Sequence, residues 1–145
     1  SRVLDAFAGS GAMGFELLSR GALYAAFVDK DRKTCDRIKR TAKSLGVSTS
    51  EMSVICGDTA RLAESSQLFG GPFDVVFLDP PYAVEAEVVS KLLKDLTQAG
   101  SLTKDAVVVY EHSHKSDSVS LDNFELSKSK RYGIAQVDLL VRCEG

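Results

Sequence analysis

The chain has 145 residues, of which 44% are hydrophobic and 26% charged, with a formal net charge of −2. That length suits one domain with a core of its own, and the composition argues for a soluble globular chain against a disordered or membrane-embedded one. The slightly negative total gives no broad attraction to polyanions, so a nucleic acid would have to be held by a local basic patch.

Short β-branched runs alternate with amphipathic stretches, as they do when βαβ crossovers cover both faces of a mostly parallel sheet. Val3–Phe7 predicts the first strand. The chain enters it with no loop or cap before it, so an upstream segment that helps engage substrate is expected to be missing from the single domain spanning residues 1–145. Phe15, Leu17 and Leu18 before Gly21 predict a crossover helix, and Ala25–Val28 a second strand. Cys35, Ile38, Ala42 and Leu45 then recur at helical spacing, and Gly46 supplies a stop. Strands follow at Ser53–Cys56 and Phe73–Leu78, a helix at Val89, Leu92, Leu93 and Leu96 before Gly100, and a fifth strand at Ala106–Tyr110.

After Glu111 the rhythm changes. A polar stretch, His112 to Ser120, reads as a loop, and Phe124–Lys130 and Ile134–Arg142 are separated only by Arg131-Tyr132-Gly133. With no room for a helix between them, the two runs should pair as an antiparallel hairpin. Cys35, Cys56 and Cys143 are odd in number and contain no C-x-x-C, which predicts reduced thiols in a cytoplasmic protein. No leader-like apolar segment or membrane-spanning run is present in these residues. His112 and His114 would share one side of a strand but have no third ligand nearby in sequence, so no metal site is expected.

The glycine-rich turn Asp5-Ala6-Phe7-Ala8-Gly9-Ser10-Gly11-Ala12-Met13-Gly14 contains G-x-G-x-x-G, and Asp29 follows at the spacing of a ribose-binding acid. Taken alone, it is weak evidence, because a left-handed turn entering a helix would use the same residues. Asp5, however, stands where a dinucleotide's diphosphate would approach, and a carboxylate there favours a cation. S-adenosyl-L-methionine brings an ammonium, a sulfonium and a ribose diol, and no phosphate. Asp58, after the third strand, could accept from an adenine amine or simply cap the helix starting near Thr59.

The stretch Val75 to Tyr82, V-V-F-L-D-P-P-Y, ends a buried strand with an acid, two prolines and an aromatic. Ligands of open α/β sheets bind at the carboxyl ends of strands, which is where this stretch falls. The prolines would fix Asp79 and the Pro80 carbonyl as two convergent acceptors for a planar amine, with Tyr82 stacking on the ring. Proximity and charge stabilisation by the carboxylate would then favour methyl transfer to nitrogen.

D-x-F-x-G-S-G, V-D-K-D, G-D and D-P-P-Y, in that order, resemble the class I S-adenosylmethionine-dependent methyltransferases that act on exocyclic amines of nucleic-acid bases. The likeness is greatest to bacterial enzymes making N2-methylguanine in small-subunit (16S) ribosomal RNA. It implies a doubly wound, Rossmann-like α/β sheet of about seven mostly parallel strands, helices on both faces and an antiparallel C-terminal hairpin. It also implies that Asp5, Gly9, Gly11, Asp29 and Asp58 bind cofactor, with Phe7, Ser10, Lys30 and Thr59 beside them. Asp79, Pro80, Pro81 and Tyr82 would hold the target amine. The partner would be ribosomal RNA or a partly assembled small subunit. Lys128, Lys130 and Arg131, at the hairpin turn, are the expected phosphate contacts. The alternatives are an adenine-N6 DNA methyltransferase, a degenerate fold serving as a binding module, and a dinucleotide oxidoreductase, which Asp5 disfavours.

Overall fold

A computed structural model describes residues 1–81, 83–116, 119 and 121–143. Seven strands form one sheet, in the order β3-β2-β1-β4-β5-β7-β6. They are β1 (Arg2–Asp5), β2 (Tyr24–Asp29), β3 (Met52–Cys56), β4 (Phe73–Leu78), β5 (Leu102–Ser113), β6 (Phe124–Tyr132) and β7 (Ala135–Arg142). The first five run parallel. β7 is antiparallel to both β5 and β6, so β6 points the same way as the others and its turn into β7 lies on the carboxyl rim.

The expected hairpin is present, with β7 lying between β5 and β6. Side-chain chemistry accounts for that order. β7 offers Val137, Leu139 and Val141 to one face and Leu140 to the other, while β6 is exposed after Phe124 and carries its lysines at the edge. Edge lysines oppose pairing with another chain.

Helices cover the sheet on both faces. α1 (Ala12–Ser19) and α2 (Arg32–Leu45) pack on one face, where Val3, Ala25 and Phe27 meet Ile38 and Ala42. α3 (Thr59–Glu64) and α4 (Ala86–Gln98) pack on the other, where Leu4, Val28 and Val76 share a core with Ala63, Leu93 and Leu96. Alternate residues of β1 thus serve opposite cores, as a strand buried on both faces requires. No helix among the described residues is long and apolar enough to cross a membrane.

Two boundaries differ from the sequence pattern. β1 stops at Asp5 instead of Phe7, because the chain turns away at the rim, although the Ala6 N–H still donates to the Phe77 carbonyl at 3.1 Å. β5 runs from Leu102 to Ser113, well beyond Ala106–Tyr110. Its polar start, Thr103-Lys104-Asp105, hides the strand in sequence, and a register shift against β4 between Phe73 and Val75 accommodates it. At its other end, pairing with β7 continues to Ser113 opposite Ala135, so His112 is strand and not loop. His112 is buried, its Nε2 lies 2.7 Å from Asp138 Oδ2, and its ring stacks on Tyr110 with centroids 4.5 Å apart. His114 instead meets the Ile134 carbonyl through Nδ1. Among the described residues no cluster of metal-ligating side chains forms, and all three cysteines are free thiols.

Candidate active site at the carboxyl end of the sheet

Because β1, β2, β3, β4 and β5 are parallel, their carboxyl ends open on one rim, and the loops leaving them enclose a cavity of about 890 Å³. That volume falls in the range of small-molecule sites, roughly 300–1,000 Å³. The geometry begins with Asp5 at the end of β1. Only 5% exposed, it accepts a 3.3 Å hydrogen bond from the Gly14 N–H at the start of α1. Burial pushes its carboxyl up to about 7; the Gly14 N–H opposes that rise, and the charges of Asp79 and Asp29 reinforce it.

The glycine turn lies over this acid. Gly9 has φ +56°, and a Cβ built there would have no atom within 4 Å, so its backbone borders open cavity. The Gly9 N–H donates to Asp29 Oδ2 at 3.0 Å, and the Asp31 N–H to Asp29 Oδ1 at 2.9 Å. Asp29 thereby ties the turn to the end of β2, and each of its oxygens retains a second acceptor site. Gly11, between Ser10 and Ala12, is not among the residues that line the cavity. At φ +80° it caps α1, and a Cβ would come within 2.9 Å of the Phe15 ring, so backbone conformation and packing both call for glycine here.

Asp58 caps α3, the second of the two readings its position allowed. Its Oδ1 accepts from the Ala60 and Arg61 N–H groups at 3.0 and 3.4 Å, and the residue also borders the cavity. Thr59 lines the cavity too, but its hydroxyl donates to the Ala6 carbonyl and so fastens α3 to the end of β1. Phe7, Ser10 and Lys30 line the same space, Ser10 with its Oγ accepting from the Ala12 N–H at 3.3 Å.

The opposite wall is built by the end of β4. Asp79, Pro80 and Pro81 face the cavity beside Phe77 and Leu78. Tyr82 lies outside the described residues. Desolvation by the cavity wall, then the adjoining Glu111 carboxyl, pushes Asp79 up to about 6 although its residue stays open to solvent at the cavity mouth. Lys128, Lys130 and Arg131 are exposed on β6 toward the carboxyl rim and do not line the cavity. Lys130 lies over the Tyr132 ring at 5.1 Å, and Arg131 Nε donates to the Gly133 carbonyl.

Several lining residues carried no motif. Glu111 and Val109 come from β5, Val137 from β7, and Val84 and Val88 from the approach to α4 and its first turn. Glu111 had one readable signal, its place just past a β-branched run at the carboxyl end of a strand. The apolar residues had none, since they look like any other core positions. The resulting cavity has an acidic floor, one cationic residue among those described, Lys30, and an apolar wall. Such a lining accepts a cation and a flat ring, and disfavours phosphate.

The family described as conserved hypothetical protein 95 matches residues 1–141. Ribosomal RNA small subunit methyltransferase D of Haemophilus influenzae is 31% identical over 140 residues, covering 96% of this chain and 70% of that protein. The crystal structure of a candidate methylase from Haemophilus influenzae superposes with a TM-score of 0.88 at 31% identity, covering 99% of this chain and 88% of that one. A candidate methyltransferase crystallised with S-adenosylhomocysteine superposes with a TM-score of 0.79 at 10% identity, covering 97% of this chain and 44% of that one. The last likeness is one of fold alone.

Proposed function

The chain belongs to the conserved hypothetical protein 95 family, and from that premise we propose that it transfers a methyl group from S-adenosyl-L-methionine to the exocyclic N2 amine of a guanine in small-subunit (16S) ribosomal RNA. The observation that carries this reading is the meeting of Asp5, Asp29 and Asp79 around one cavity with the rigid Asp79-Pro80-Pro81 turn at its mouth. A relative named for small-subunit ribosomal RNA supports the substrate class.

The cavity residues fit the cofactor in charge and in shape. Asp5, buried and short of a cation, would face its ammonium. Gly9 leaves room for its backbone to be approached closely, and Asp29 would accept from the ribose hydroxyls while holding the glycine turn. When bound, the cofactor supplies an electrophilic methyl on a sulfonium. The remaining work falls to the protein: Asp79 and the Pro80 carbonyl would each accept one hydrogen of the amine, turning its nitrogen toward that methyl and stabilising the charge that develops there. A paired base hides this edge, so the target must be unpaired or flipped out.

The test is methylation of RNA from cells lacking the protein, followed by mass identification of the modified nucleoside. N2-methylguanosine should appear with the wild type. With Asp79→Ala it should vanish while S-adenosylhomocysteine still binds. Methyl groups found on adenine N6, or efficient modification of duplex DNA, would defeat the assignment.

A further inference from the structure

Methyl transfer to an amine leaves a proton to be placed, and the cavity contains a second carboxyl group beside Asp79. Glu111 lies one position beyond the Leu78–Tyr110 pair of the β4–β5 ladder, as Asp79 does on the neighbouring strand. Both residues border the cavity, and their carboxyl groups are within hydrogen-bonding reach of each other. In the β5–β7–β6 ladders Glu111 is followed by Val137 and then Lys130, so the adjoining strand β7 presents an apolar residue and no countercharge. Val84 and Val88 are apolar as well, Asp5 approaches from β1 with a third carboxyl, and Asp29 and Lys30 line the cavity from the end of β2.

We infer that Glu111 is a positioning residue for methyl transfer, holding the Asp79 carboxyl toward the target amine so that Asp79 receives the proton the amine loses. The inference rests on the function proposed above. As the nitrogen–carbon bond forms and the methyl–sulfur bond breaks, sulfur keeps the electron pair and the nitrogen gains a positive charge. The nitrogen then gives one hydrogen to Asp79 as a proton, and the pair releases it to solvent at the cavity mouth. Two adjacent carboxylates bind a first proton more tightly than either would alone, and a base is most effective when its affinity for the proton approaches the working pH. Asp79, pushed from 3.8 to about 6 chiefly by desolvation and then by Glu111, meets that condition.

Two measurements on the full-length protein decide the matter. Without RNA, carboxyl-carbon NMR should show that Glu111→Gln lowers the Asp79 titration midpoint by about one pH unit, the size of a like-charge contribution, and that Glu111→Asp restores part of the shift. In methylation assays with RNA from cells lacking the protein, the wild-type rate should fall as pH drops through about 6. Glu111→Gln should move that limb to lower pH and reduce the plateau several-fold, with S-adenosylhomocysteine affinity unchanged. An Asp79 midpoint that Glu111→Gln leaves in place overturns the inference, as does a loss of rate that is uniform across pH. No transfer to RNA by the wild type would instead defeat the functional reading, and the inference with it.

Discussion

Replacing Asp5 with Asn should stabilise the ligand-free protein above neutral pH while removing its attraction for a cation. Burial, opposed by the Gly14 N–H and reinforced by Asp79 and Asp29, raises this carboxyl from 3.8 to about 7. An acid raised on folding holds its proton more tightly in the folded state, so its contribution is most favourable below about pH 3.8 and is lost progressively as pH rises to about 7. At about 1.4 kcal/mol per pH unit the whole loss is about 4 kcal/mol, of which about 2.5 kcal/mol falls between pH 5 and pH 8. Asn has nearly the same shape, keeps an oxygen for the Gly14 N–H and cannot ionise. Urea denaturation at the two pH values should therefore show the variant gaining on the wild type by about 2–3 kcal/mol from the lower to the higher. S-adenosylhomocysteine, whose ammonium would neutralise Asp5, should stabilise the wild type more at pH 8 than at pH 5, a pH dependence that the variant should lack. A difference between the two proteins that is the same at both pH values would refute the reasoning, because only the titration of Asp5 makes it grow.

Asp29→Ala should weaken S-adenosylhomocysteine binding by about 1–3 kcal/mol, the usual loss for charge-assisted hydrogen bonds; unchanged affinity by calorimetry, or tighter binding of NAD, would rule out the proposed ribose contact. Replacing Lys128, Lys130 and Arg131 together by Gln should flatten the salt dependence of RNA binding, reducing the slope of log affinity against log salt by up to about 2, at roughly 0.7 per contact to a single strand. A slope equal to that of the wild type would place the RNA elsewhere on the surface.

Most of the sheet was legible because its strands are β-branched runs that end in turn residues, and because α2 and α4 show unbroken apolar stripes. Where the pattern misled, the cause was local. Leu102 joins β5 by pairing with Phe73 of β4, and the strand continues through Thr103, Lys104 and Asp105 across the register shift, although three consecutive polar residues there argue for a loop. His112 reads as a loop residue until Asp138, on a strand far along the chain, supplies its partner. The same separation divides the site. Asp5, Asp29 and Asp79 were marked by short motifs, each complete within a few residues, whereas Gly11 shared a motif with Gly9 yet turned out to pack against Phe15 and Phe27. Glu111 matters through a neighbour on another strand, and no single stretch of sequence contains that pair.

The cavity also answers the ambiguity of G-x-G-x-x-G. A dinucleotide site needs its glycine turn to deliver a phosphate to a helix N-terminus, but here the Gly14 N–H at the start of α1 is already engaged by a carboxylate. Asp5, Asp29, Asp58, Asp79 and Glu111 border the space, with Lys30 the only cationic residue among the described lining. A diphosphate brought there would meet like charge in a partly desolvated setting where such repulsion is strong, while an ammonium and a sulfonium would relieve it. For the proposed RNA substrate the same field imposes a division of labour. Its phosphates would stay at the rim, where the edge-strand cations Lys128, Lys130 and Arg131 stand, and only an uncharged base would enter the acidic interior. An unpaired guanine held by its backbone outside and its amine inside would satisfy both conditions, so under the proposed function one arrangement of carboxylates would both select a flipped base and exclude dinucleotides.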